Sequence, residues 1–296
     1  MVSKKLVYTL VAIVSAFWGL SFLATAELVK VVDPIQIQSI RWMVAAIIIG
    51  IYMKINHIGI DFHKRDAKYL FLTGLCEPCI YMMCETYGIM KTSASISAIF
   101  IATIPCVVLI LDLILFRESP GRTGVAGILL AFTGVTVCTV CSPAFAAGGE
   151  MIGYILLIGA VIAGGVYSIF VNYASTEYSS IQITFVMAVM GTIYYNVLNF
   201  ILGYGTETYT IYFHEPKLLA EILFLGVCCS AICYLAFNRL IALVDPAVGN
   251  NLSASMVTAV GVAAGVLIAG DPAGWYTVIG LALTLFGVYL SSRQLD

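Results

Sequence analysis

Ten apolar runs follow one another along this chain with only short polar breaks, near residues 6–30, 35–53, 68–90, 93–116, 122–141, 151–174, 179–202, 217–241, 246–269 and 273–291. A bilayer's hydrocarbon core takes roughly 20 helical residues to cross, so these lengths suit lipid. Inside hydrocarbon every backbone N–H and C=O must be paired within the protein, which leaves only helices and closed barrels. Barrel strands are about 10 residues long and alternate in polarity, and these runs do neither. The sequence therefore predicts an all-α integral membrane protein with ten transmembrane helices. Composition agrees: 61% of side chains are hydrophobic and 10% charged, against about 25% charged in soluble domains.

Little of the chain remains outside the runs, so no separate soluble domain is expected. Fourteen basic and 16 acidic residues give a net charge of -2, which is no footprint for nucleic acid. His57, His63 and His214 sit in or beside polar breaks, leaving no candidate for histidine catalysis within the bilayer. The nine cysteines fall almost wholly in apolar runs and read as buried free thiols. Cys76-Glu77-Pro78-Cys79 has metal-like spacing but no second pair or nearby histidine, so no metal site is expected. The opening Met1-Val-Ser-Lys-Lys and first run could imitate a signal peptide. The run continues past Phe22 without a small-residue cleavage site, so a retained first span is expected.

Asp33-Pro34, Ser119-Pro120, Asp245-Pro246 and Asp271-Pro272 each place a side-chain acceptor before a proline at a run's start. That is the arrangement of an N-cap followed by proline at the first helical position. With the N-terminus in the cytoplasm, Lys4, Lys5, Lys54, Lys64, Arg65, Lys68, Arg117, Arg122, Arg239 and Arg293 lie on the cytoplasmic side. Lys30, Lys91 and Lys217 then lie outside, and Arg41 is left within a span. Positive-inside bias thus places both termini in the cytoplasm, with the protein in the cell membrane.

Shifting the chain by 153 residues lays the third to fifth runs on the eighth to tenth: Phe71 meets Phe224, Cys76 Cys229, Tyr81 Tyr234, Gly127 Gly280, Gly134 Gly287 and Glu118 Asp271. The first two runs of each half align only at a different offset, through Ile35-Gln36-Ile37 and Ile181-Gln182-Ile183. The halves are 1–145 and 146–296. Five crossings per half make the second copy enter from the opposite face, a 5+5 inverted repeat. Such pairs enclose a midplane cavity and rock to open it to either side.

Several segments resemble the EamA-type drug/metabolite transporter superfamily: Phe17-Trp18-Gly19-Leu20-Ser21-Phe22, Ile40-Arg41-Trp42, Thr92-Ser93-Ala94-Ser95 through Ile104-Pro105, and Phe116-Arg117-Glu118 before Gly127 and Gly134. The resemblance spans nearly the whole chain. It implies a ten-helix carrier that often exports amino acids or other small metabolites. One departure is that Pro105 aligns with Thr258, so a kink in the fourth span has no expected counterpart in the ninth.

Ionisable groups within spans are costly and therefore need a reason. Glu27, Arg41, Glu77 and Glu85 are the candidates. Glu77, Tyr81 and Glu85 are spaced by four and share one helix face. Arg41 is expected to ion-pair with Glu27 or Glu85. Glu77 has no evident partner, which makes it a proton carrier, a seat for a cationic group, or a neutral acid bonded to a neighbouring helix. Pro78 is expected to open the helix beside it. Trp18, Tyr81, Tyr167 and Tyr234 can wall a pocket. Rings beside carboxylates favour ammonium groups, although aromatics in membrane helices also serve as belts and filler. Ser21 in the first span and Asn238, the repeat mate of Glu85, complete the expected substrate-binding set, with Asn250 as mate of Ser97. Gly261 and Gly265, and the glycines at 121, 124 and 127, are expected to pack helices closely.

These residues describe a secondary transporter that exports amino acids or amine-containing compounds, as a monomer or weak homodimer, with proton coupling through Glu77 and no cofactor. No phosphate-binding loop supplies nucleotide energy. The alternatives are uptake or exchange of a quaternary amine such as choline and, more distantly, an intramembrane enzyme or sensor.

Overall fold

The computed structural model describes residues 4–62, 65–116, 121–142, 151–244 and 246–292. The expected caps at Ser119 and Asp245, the repeat mate Glu118, and Lys64, Arg117, Arg293 and His63 lie outside the described residues. Ten helical columns are present among those described: α1 Lys4–Leu28, α2 Pro34–Ile55, α3 67–91, α4 94–116, α5 Gly121–Val140, α6 Met151–Ala174, α7 Ser180–Ile201, α8 Pro216–Ile241, α9 246–269 and α10 Trp275–Ser292. Eight are long and apolar enough to cross a membrane on those grounds alone. The others are α3, which carries Glu77 and Glu85 at its middle, and the shorter apolar α10.

The outer surface is apolar, and within a largely apolar interior the polar side chains are gathered inward, away from that surface. Ile155, Ile158 and Ile162 form an outward stripe along α6, each at least 50% exposed, whereas Gln38, Arg41, Glu77, Thr184 and Asn238 are buried. This is the distribution that lipid as solvent selects.

Inversion is visible in the helix pairs. α2 packs on α7 and α5 on α10, so two sets of repeat mates touch directly. Both pairs are antiparallel: Gly50 lies against Phe185 and Gly191 against Trp42, while Gly127 faces Gly287 and Gly134 faces Gly280. Mates can run antiparallel only if the second copy is turned over. Contacts away from the axis repeat as well, since Gly19 of α1 packs on Val260 of α9 and Gly165 of α6 on Val107 of α4. These pairs fix the offset as 146 residues for the first two helices of each half and 153 for the last three.

Local chemistry follows the same equivalence. α2 begins with a capping box in which Asp33 accepts from the Ile35 amide at 2.9 Å and Gln36 accepts from Asp33. α7 begins with another, Ser179 and Gln182, at the 146-residue offset. α3 and α8 each contain a π-helical segment, Leu75–Tyr81 and Phe224–Ile232. Pro78 lies within the first, as its missing N–H predicts, yet α8 opens at the same level with Ala231 there. α4 breaks between Ile101 and Ile104 just before Pro105, whereas α9 runs unbroken from Pro246 to Ala264 through Thr258. The kink belongs to one half, as the unmatched proline implies.

Asp271 departs from expectation. It does not cap its own helix, which starts later at Trp275. Its carboxylate instead accepts the Ser95 amide at 2.8 Å, capping α4 beside the Ser93 hydroxyl, which takes the Ile96 amide. Gly270, in the left-handed region at φ 75°, ends α9 and turns the chain back to make this reach. The bond ties the α9–α10 loop to the other half. Asp271→Ala is expected to lower stability by about 1 kcal/mol, the usual worth of an N-cap, read as a lower melting temperature of the purified protein. An unchanged melting temperature would refute this role.

Candidate functional site

Helices α3 and α8 carry matched stripes that begin in their π-helical segments and meet through Tyr234 and Glu77. On α3 the stripe is Glu77, Tyr81, Glu85; on α8 their mates at 153 residues are Ser230, Tyr234, Asn238. Spacing by four puts each stripe on one face. Both stripes are buried: Glu77 is 3% exposed, Glu85 5%, and Ser230 and Asn238 0%. The first half thus supplies acid, phenol, acid, and the second hydroxyl, phenol, amide.

Hydrogen bonds knit the stripes together. Tyr234 donates its hydroxyl to Glu77 Oε1 in a short bond between the two halves. Tyr81 donates to Glu85 Oε1 at 2.8 Å within α3. Tyr167 donates to Asn238 Oδ1 at 2.6 Å, and Asn238 in turn donates to Thr184 at 2.9 Å. The π segments also offer carbonyls to aromatic donors, Trp18 Nε1 to the Cys229 carbonyl at 3.0 Å and the Tyr195 hydroxyl to that of Pro78 at 2.6 Å. Ser21 donates to the Trp18 carbonyl at 2.7 Å.

These groups surround a cavity of about 60 Å³ lined by Trp18, Ser21, Arg41, Glu77, Tyr81, Glu85, Gly164, Tyr167, Ser168, Tyr234, Phe237, Asn250, Ser253 and Thr258, among others. That volume holds a few waters, far less than the several hundred Å³ of a typical ligand pocket, so the site is contracted in this conformation. Its walls are aromatic, with Trp18 edge-on to Tyr234 at 5.0 Å and tilted against Phe237 at 5.1 Å. The symmetry breaks where it creates space. Trp18 is the mate of Gly164, so Trp18 packs on Tyr234 where Gly164 meets Tyr81.

Seven of the eight expected substrate-binding residues line this cavity. Asn238 does not; it stands behind Tyr167 and holds its hydroxyl. Glu77, expected to lack a partner, has Tyr234. The expected pairing of Arg41 is not formed. Glu27 bonds Lys30 and, at 2.7 Å, Lys217 instead, and among the described residues no carboxylate oxygen comes within 4.0 Å of Arg41. Arg41 donates Nε to Ser230 Oγ at 2.6 Å. Ser230 was missed, although the offset that pairs Tyr81 with Tyr234 also pairs Glu77 with it. Ser253 and Thr258 were missed too, although with Asn250 their spacing marks one face of α9.

A buried polar cavity between inverted halves is the anatomy of a carrier, and comparison with known proteins agrees. The model of the EamA-like transporter family matches residues 5–140 and again 151–293. The chain belongs to the EamA-like transporter family. An uncharacterized transporter of Archaeoglobus fulgidus is 26% identical over 289 residues, 97% of this chain and 99% of the relative. The uncharacterized transporter YcxC of Bacillus subtilis is 21% identical over 284 residues, 94% of this chain and 90% of its own length. The protein PagO of Salmonella typhimurium is 26% identical over 133 residues, 45% of this chain and 44% of that one. A solved crystal structure superposes with a TM-score of 0.66 at 15% identity, covering 99% of this chain and 100% of that one, which is likeness of fold. This EamA-like protein is a multi-pass membrane transporter.

Proposed function

We propose that this EamA-like transporter is a secondary carrier that exports small amine-bearing metabolites, amino acids foremost, across the cell membrane with both termini in the cytoplasm. The observation that carries the reading is Glu77, a buried carboxyl group bonded across the halves in a cavity walled by Trp18, Tyr81, Tyr167 and Tyr234. An ammonium group finds there both a counter-charge and aromatic faces. The cavity is lined by two carboxyl groups and one guanidinium, and Glu77 takes either a proton or an ammonium group. A proton and a substrate ammonium compete for that place, and the competition couples outward movement of one to inward movement of the other. Halves 1–145 and 146–296 rock about the α2–α7 and α5–α10 contacts, and the contracted cavity widens as Tyr234 leaves Glu77. One chain encloses the whole cavity, which suits a functional monomer. The excess of Lys and Arg on the face of both termini supports the orientation.

Counterflow in proteoliposomes tests the substrate class, with labelled amino acids, their amines and choline offered to the wild-type protein. Acceleration of labelled amino acid or amine uptake by internal unlabelled solute is expected. Exchange of choline alone would replace this reading with a quaternary-amine carrier, and no exchange of any amine would end it.

A further inference from the structure

Arg41 is the charge that the hydrogen-bond network leaves unanswered. Its side chain is 1% exposed, yet it borders the central cavity. A guanidinium keeps its proton and carries five N–H donors in a planar fork. Nε donates to Ser230; among the described residues the terminal Nη groups donate to no protein acceptor and no carboxylate oxygen lies within 4.0 Å. Burying such an ion unpaired is expensive. Glu77 and Glu85 share the cavity, but each gives an oxygen to a tyrosine rather than to Arg41.

The identity of residue 230 sharpens this. Ser230 occupies the position where the first half has Glu77. A glutamate there would close on the guanidinium and neutralise it. Serine holds the Nε edge with an uncharged acceptor and leaves the charge available, so α8 fixes Arg41 without quenching it.

We propose that the Nη edge of Arg41 seats the carboxylate of a zwitterionic substrate whose ammonium sits at Glu77, so that the carrier reads an α-amino acid by both charged ends. This rests on the amine-carrier reading and goes beyond it. A fork of paired N–H donors matches a carboxylate bidentately. Phosphate esters and dicarboxylates share that chemistry, but Glu77 and Glu85 repel the additional negative charge. Ser230 is then a positioning residue, setting the angle of the fork without touching substrate.

The test uses full-length protein in proteoliposomes with labelled phenethylamine as counterflow reporter, competed by phenylalanine, phenylalanine methyl ester and unlabelled phenethylamine, and by the matching leucine series. In the wild type the free amino acid is expected to compete at least about tenfold better than its ester or amine, the ordinary worth of a hydrogen bond to a charged group. In Arg41→Gln that advantage disappears: phenylalanine competes no better than its ester or amine against whatever phenethylamine exchange the variant shows. Ser230→Glu, which neutralises Arg41 without deleting it, is expected to behave the same way and decides the matter if Arg41→Gln does not fold. Esters and amines competing as well as their parents in the wild type would overturn the proposal, as would an advantage that survives in Ser230→Glu. Absence of exchange with every amine and amino acid would instead bring down the amine-carrier reading, and this inference with it.

Discussion

Glu77→Gln is expected to slow amine transport thirtyfold or more and to flatten its dependence on pH. Glutamine has nearly the volume of glutamate, and its Oε1 can still accept the Tyr234 hydroxyl that Glu77 accepts now, so the fold and the inter-half bond are retained. Only the charge is lost. Removing one partner of a buried charged pair costs about 2–5 kcal/mol, and each 1.4 kcal/mol is about tenfold. The companion variant Glu85→Gln is expected to do less. Glu85 is held by Tyr81 on its own helix, so its bond does not change when the halves part, whereas the Glu77–Tyr234 bond must break. Initial rates in proteoliposomes across the neutral pH range measure both. Full transport by Glu77→Gln, with wild-type pH dependence, would remove Glu77 from the mechanism.

The difference between Glu77 and Glu85 also shows what the sequence could and could not convey. Periodicity placed both carboxyl groups and Tyr81 on one face, and they are on one face. The 153-residue offset made Tyr234 equivalent to Tyr81, and the structure sets their helices opposite one another. An offset identifies equivalent residues but not the partner each will choose. Tyr81 turns back to its own helix and Tyr234 crosses to the other half, a distinction created by packing that no spacing encodes. The same limit explains Asp271, whose place before a proline looked like a local cap. The tight turn at Gly270 carries it to Ser95 of α4, 176 positions away in the chain. It explains Arg41 as well. Nearest opposite charge along adjacent spans suggested Glu27 or Glu85, but Glu27 lies within reach of Lys30 and Lys217, and partners available at the rim are taken there. What the sequence conveyed best was set by solvent: lipid demands apolar helices of fixed length, and an odd number of them per copy demands inversion.

Inversion brings the second large effect. Gly134→Leu is expected to yield little folded protein. A Cβ on Gly134 would stand 2.5 Å from the Thr284 amide nitrogen and 2.6 Å from the Gly280 carbonyl oxygen; one on Gly287 would stand 2.3 Å from the Ala131 nitrogen and 2.6 Å from the Gly127 carbonyl. The obstructing atoms are backbone, so no side chain can turn aside. Helix association in lipid has no hydrophobic drive and relies on such close approach. Even Gly134→Ala must push α5 and α10 apart, and overpacking of this kind costs about 1–3 kcal/mol, occasionally more; leucine adds three further carbons to the same gap. Gly59→Ala is the matched control, since a Cβ there meets nothing within 4 Å. Size-exclusion profiles and melting temperatures of the purified variants separate the outcomes, and a monodisperse Gly134→Leu protein melting like the wild type would disprove the contact. Neither α5 nor α10 contributes a residue to the cavity wall. A loss of transport in a folded Gly134→Ala protein is therefore expected to arise from how the halves pack and move against each other, because Gly134 lies away from the cavity wall.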